Sequence, residues 1–207
     1  MPPAKADRRT ERTRAALMQG FIGLILAEGY DAVTVERVAE RANVGRSTFY
    51  MHYTGKDDIL RQSMKRPSTL LAVTVGYAPP LEALVKQLQH FHAQRGRNHV
   101  FFAAPVRNIW VRALAELIEP RVIAIARHAR ARPLLPLPLV AVQIAEAQIA
   151  LITNWLQGRA PVKIDAIAET LLATTRALLG ALLRCPPHAS LVIPGEKLRF
   201  QIHGEEE

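Results

Sequence analysis

Thr34-Val-Glu-Arg-Val-Ala-Glu-Arg-Ala-Asn-Val-Gly-Arg-Ser-Thr-Phe-Tyr-Met-His-Tyr-Thr-Gly-Lys56 decides how this chain is read. Two short helical patterns meet at a turn around Asn43 and Gly45. Thr34 suits the N-cap of the first, since its side chain can satisfy a free N–H of the opening turn. Val35, Val38, Ala39 and Ala42 give that helix an inner face. The second pattern runs from about Arg46 to Tyr53. At about 100° per residue, Phe49 and Tyr53 fall on one side, one turn apart. The opposite side carries Ser47 and Met51, flanked by Thr48 and Tyr50. Arg46 extends from the N-terminal end, and His52 lies toward the edge. A core helix would carry aliphatics in those places. This mixture instead suits a helix lying in the major groove of DNA. Hydroxyls and Tyr suit phosphates, Arg the paired acceptors of guanine, and Met51 a thymine methyl.

The flanks agree. Upstream, a helix is expected from about Arg8 to Glu28, with Leu17, Phe21, Leu24 and Ile25 at helical spacing. Gly29 stands where a C-terminal cap needs positive φ. Downstream, Gly55 breaks the chain, and Asp57 and Asp58 fall in the first turn of a fourth helix, complementing its dipole. Ile59, Leu60 and Met64 continue it to Pro67 or just beyond. Lys56 is a candidate phosphate clamp. Met1 to Asp7 reads as a flexible arm. Lys5, Arg8, Arg9, Arg12 and Arg14 either follow the DNA backbone, enter the minor groove, or form a solvated basic arm.

Residues 8–66 resemble the DNA-binding domain of the tetracycline-repressor (TetR) family of bacterial transcription regulators. The resemblance is carried by Gly29-Tyr30-Asp31-Ala32-Val33-Thr34, then Val38-Ala39, then Val44-Gly45-Arg46-Ser47-Thr48-Phe49-Tyr50-Met51-His52-Tyr53, then Lys56-Asp57-Asp58-Ile59-Leu60. It implies that Thr34, Ser47, Tyr50 and Lys56 contact phosphate and that Arg46, Thr48 and His52 contact bases or backbone. It implies that Phe49 and Tyr53 are core. The exposure of Met51 is read from the helical wheel alone.

The rest of the chain is expected to be a helical body. Pro79-Pro80 opens a helix through about Gln94, with Leu81, Leu84, Val85 and Leu88 inward. Arg95 to Asn98 is a loop. Residues 99–131 read as two or three helices, interrupted near Pro105 and Pro120. A Pro-rich connector, Arg132 to Pro138, leads to two strong helices, Leu139 to Gln157 and Ile164 to Arg184. Both are apolar over more than one face, as a helix covered from two sides must be. Either they are central in the subunit core or, as the resemblance implies, 139–157 and 164–184 join a second copy in a four-helix bundle. The tail from Cys185 mixes Pro, Gly and Glu and is expected to be poorly ordered. The expected fold is all-α: a three-helix helix-turn-helix domain over 1–66, a helical ligand-binding and dimerisation domain over 67–184, and a tail over 185–207.

Composition sets the bounds. The 207 residues are 49% hydrophobic and 22% charged, enough to bury a sizeable core. A net charge of +9 favours polyanionic partners, nucleic acid or an anionic membrane surface. No secretory signal is apparent, and no uninterrupted apolar segment reaches the roughly 18–20 residues of a membrane span. A single cysteine, Cys185, fits a reducing cytoplasm. No catalytic, metal or cofactor site is expected. His90 and His92 lie on different helix faces, and neither a His-Glu-x-x-His run nor a Gly-rich phosphate loop occurs. The expected function is that of a sequence-specific regulator, a repressor binding a DNA operator as a homodimer under control of a small-molecule effector. Phe91, Phe101, Phe102, Trp110 and Trp155 are candidate lining residues for the effector, or plain core. Arg107, Arg112 and Arg121 could meet an anionic one. The alternative is a helical protein- or membrane-surface interaction module. It would explain the charge but not the surface from Ser47 to Tyr53.

Overall fold

The computed structural model describes residues 5–77, 79–93, 95, 102–159, 161–185 and 191–193, with side chains from Arg8 onward. Among these, all regular structure is helical, in eight helices: α1 (Lys5–Glu28), α2 (Val35–Arg41), α3 (Arg46–His52), α4 (Lys56–Val73), α5 (Leu81–Ala93), α6 (Val106–His128), α7 (Leu137–Leu156) and α8 (Ile164–Leu183). The first helix starts at Lys5, inside the stretch read from sequence as an arm.

α1, α2 and α3 close around Leu17, Phe21, Ile25, Val38, Phe49 and Tyr53, all buried. Gly29 ends α1 at φ +82°, where a side chain would be strained. Thr34 caps α2, its Oγ1 accepting from Arg37 N–H at 3.4 Å. At the start of α4, Asp58 Oδ2 accepts from Thr54 N–H at 3.0 Å. Burial raises the Asp58 pKa, but Thr54, Gln62 and Arg61 outweigh burial and hold it below the usual carboxylate range.

α4 is the link. Its first turns pack in the N-terminal unit, and its later turns pack against α6. It continues through Pro67, so residues 66 and 67 lie in one helix. Within the body, α6 packs on α7, α7 on α8 and α5 on α8. The break expected near Pro120 does not occur, and α6 is one helix of 23 residues. Pro120 faces solvent, as does Glu116, whose carbonyl it leaves without a helical partner, while Ile118 and Val122 are buried on the other side.

A polar node built on Gln148 sits inside the body. Gln148 on α7 is only 2% exposed. Its Nε2 lies 2.9 Å from Thr74 Oγ1 just after α4, 3.0 Å from Thr175 Oγ1 on α8 and 3.4 Å from the Leu71 carbonyl on α4. It therefore ties α4 to both α7 and α8. At the same end of α4, Gly76 adopts φ +85°, and its carbonyl accepts from Ile193 N–H at 2.9 Å. Leu191 to Ile193, within the tail read from sequence as poorly ordered, thus return to the core. A Cβ at Gly76 would meet Ile125 Cδ1 at 2.6 Å and Ile193 Cγ1 at 2.9 Å. Gly76→Ala is expected to cost about 1–3 kcal/mol through backbone strain and overpacking. The cost would be read as a lower urea midpoint at unchanged slope.

Candidate nucleic-acid interface

The α2–turn–α3 unit places one face of α3 in the core and the other in solvent. Phe49 is fully buried and Tyr53 is 1% exposed, their ring centres 5.6 Å apart. Met51 is 76% and Tyr50 48% exposed. Arg46 and Ser47 are also exposed, and Thr48 and His52 are half-buried beside them. Tyr50 stands edge-on to Phe49 at 5.5 Å. Its ring is therefore fixed by the core while its rim faces outward. Thr34, at the start of α2, is exposed as well. The N-cap of α3, Gly45, supplies no side-chain bond, so packing of Phe49 is the main hold on the helix.

Two of the cations are held by neighbours that the sequence did not mark. Lys56 Nζ donates to the Tyr30 carbonyl at 3.4 Å and sits 4.4 Å from the Tyr30 ring centre. The Tyr30 hydroxyl donates to Asp57. Burial, and then that acidic partner, raise the Tyr30 pKa above its ordinary value. Lys56 is thus fixed between the end of α1 and the start of α4, beside α3. Arg46 Nη1 pairs with Glu36 Oε1 on α2 at 2.8 Å. No motif announces Glu36. Only the crossing of α2 and α3 brings it to a residue ten positions on.

Farther out, Arg8, Arg9 and Arg12 are exposed along α1. Arg14 is engaged within the unit, donating to Gln62 and lying 6.0 Å from the Tyr53 ring centre. The side chain of Lys5 lies outside the described residues.

The aromatics named for an effector fall into pairs. Phe91 meets Trp110 edge-on at 6.2 Å, and Trp110 Nε1 donates to Ser68 Oγ at 3.0 Å, deep in the core. Trp155 stacks on His92 at 5.2 Å and donates to the Val162 carbonyl. This second pair lines a half-open surface cleft of about 300 Å³ at the ends of α5 and α7, together with Arg95, Leu156 and Pro161. Phe102 is half-buried, and Phe101 lies outside the described residues. Two of the three arginines are committed elsewhere. Arg107 pairs with Glu146 at 2.6 Å, and Arg121 donates to the carbonyls of Val75 and Val73 at the end of α4. Arg112 is exposed. Among the described residues, no group of three His, Cys, Asp or Glu could hold a metal ion.

Known proteins share the N-terminal segment. Residues 22–62 match the family described as bacterial regulatory proteins, tetR family. The uncharacterized HTH-type transcriptional regulator YxbF of Bacillus subtilis is 39% identical over 62 residues, 29% of this chain and 16% of that one. The HTH-type transcriptional regulator TcmR of Streptomyces glaucescens is 37% identical over 57 residues, 28% of this chain and 25% of that one. The chain thus matches a quarter or less of the length of either curated relative. A crystal structure of a TetR transcriptional regulator from Streptococcus agalactiae aligns with a TM-score of 0.53. It covers 82% of this chain and 97% of that one at 23% identity. At that identity, the likeness is one of fold.

Proposed function

We propose, for a chain whose N-terminal segment belongs to the tetR family of bacterial regulatory proteins, that it is a sequence-specific DNA-binding transcriptional regulator acting in the cytoplasm. We read it as a repressor that holds its operator as a homodimer and releases it to a small-molecule effector. The observation that carries this reading is the two-sidedness of α3. A seven-residue helix buries Phe49, with Tyr53 buried at its C-cap, and leaves Arg46, Ser47, Tyr50 and Met51 outward. Exposed polar and aromatic groups on a helix clamped by its other face match a recognition helix. Thr34 and Lys56, with Ser47 and Tyr50, are assigned to phosphates. Thr48, Met51 and His52 are assigned to the groove. The role is one of binding rather than catalysis.

Dimerisation is assigned to 139–157 and 164–184. α7 turns most of its apolar residues into its own subunit and leaves Leu139 and Val142 outside. α8 differs. Its outward side carries a row of small residues, Ala166, Thr170, Ala173, Ala177 and Ala181, flanked by Glu169 and Arg176, all exposed. Both helices are long and apolar enough to span a membrane by length and composition, which reading the sequence for uninterrupted apolar runs did not reveal. Only a third of α8's most apolar stretch is buried within the subunit. A second copy of α7 and α8 would cover that face, and small side chains let helices approach closely. Two α3 helices would then lie about one DNA turn, roughly 34 Å, or a multiple apart.

The effector would act through α4, which the Gln148 node ties to α7 and α8. A ligand favouring one arrangement of the body by about 1–3 kcal/mol would suffice to change operator occupancy. Trp155, on the cleft beside His92, is the aromatic best placed to meet such a ligand, ahead of Phe91, Phe102 and Trp110. A gel shift with DNA from the gene's own upstream region tests the DNA-binding reading. Specific binding is expected to weaken steeply with salt yet survive competitor DNA. Binding that vanishes in competitor would favour a general interaction module instead.

A further inference from the structure

Arg46 is more constrained than an exposed guanidinium needs to be. Glu36 Oε1 lies 2.8 Å from its Nη1, and the Tyr50 ring centre lies 5.6 Å from its Cζ. Glu36 stands in the first turn of α2, where a carboxylate complements the helix dipole. Arg46 is therefore held between Glu36 on one side and Tyr50 on the other. Exposed ion pairs of this kind contribute little to folding, so stability does not account for the arrangement. Phosphate binding does not account for it either. A phosphate accepts from many directions, and a carboxylate beside the guanidinium opposes the approach of a charged backbone. Reading a base is different. The planar fork must meet two acceptors at once, so an orientation fixed before contact saves the cost of ordering it.

Resting on the DNA-binding reading above, the geometry points to Arg46 as the base reader of α3 and to Glu36 as the residue that positions it. The target is a base pair showing two acceptors in the major groove, as guanine does with O6 and N7. Glu36 sharpens the choice, because its carboxylate disfavours any register that puts phosphate oxygens at this point.

Selection from a randomised duplex pool tests this with the full-length chain, Arg46→Lys, Arg46→Ala and Glu36→Gln. Affinities for the selected duplex and its single-base variants complete the measurement. The unaltered chain is expected to fix a G·C pair at one position of each half-site. Arg46→Lys keeps the charge but loses the fork. It should forfeit about 5- to 150-fold of discrimination at that position, with the other positions unchanged. Arg46→Ala should lose the same discrimination. Glu36→Gln should relax that same position while binding non-specific DNA as well as, or better than, the unaltered chain, since a negative charge is gone. Glu36→Gln relaxing no position, or a different one, would overturn the positioning role. Arg46→Lys binding every sequence as before would make Arg46 a phosphate contact. An unaltered chain with no preferred sequence would remove the regulator reading, and this inference with it.

Discussion

Replacing Phe49 with alanine is expected to cost about 3–5 kcal/mol and to abolish DNA binding while leaving the body folded and self-associated. Phe49 has no exposed surface and packs against both Tyr50 and Tyr53. It is the buried residue within α3 that joins the helix to the α1–α2 core, and α3 has no side-chain cap. Removing the ring leaves a cavity that a seven-residue helix cannot close. The informative control is Met51→Ala, one turn-face away. It should leave stability within about 0.5 kcal/mol and still weaken operator binding. Urea unfolding and DNA titration of both variants would check the pair. Equal destabilisation by the two would mean that α3 does not have the sidedness described.

Ala173→Arg is expected to split the dimer and reduce operator affinity by about 10²- to 10⁴-fold, the loss that follows when two linked contacts become one. Ala173 is exposed in the middle of the small-residue face of α8, opposite the buried Leu171 and Thr175. An arginine there should cost the subunit little, because Ala173 is exposed among the described residues. In a closely packed pair, it would meet its own copy across the twofold axis. Sedimentation or light scattering should report a folded monomer with unchanged helical signal. A dimer that persists would place the interface elsewhere, with Leu139 and Val142 the next surface to alter.

How much was legible depended on the range of the contact. The facing of Phe49 and Tyr53 against Ser47 and Met51 follows from helical period alone. The positive φ of Gly29 and the cap at Thr34 are equally local. Long-range features were not readable. Glu36 and Arg46, or Lys56 and Tyr30, meet only because helices cross. The continuity of α6 through Pro120 depends on that residue facing water, which a single-residue rule cannot see. The aromatics of the body share a composition but not a place. Trp110 is spent on Ser68, and Trp155 opens onto the cleft by His92. Arg107 and Arg121 read as free cations in the sequence, yet one meets Glu146 and the other closes the carbonyl end of α4.

The most direct test of the central claim is photo-crosslinking to a selected duplex whose thymines carry iodine in place of the methyl group. That atom projects into the major groove, so it reports what lies there. The account predicts crosslinks mapping to Tyr50, Met51 or His52. Tight, specific binding with crosslinks confined to α1 or to the body would contradict it.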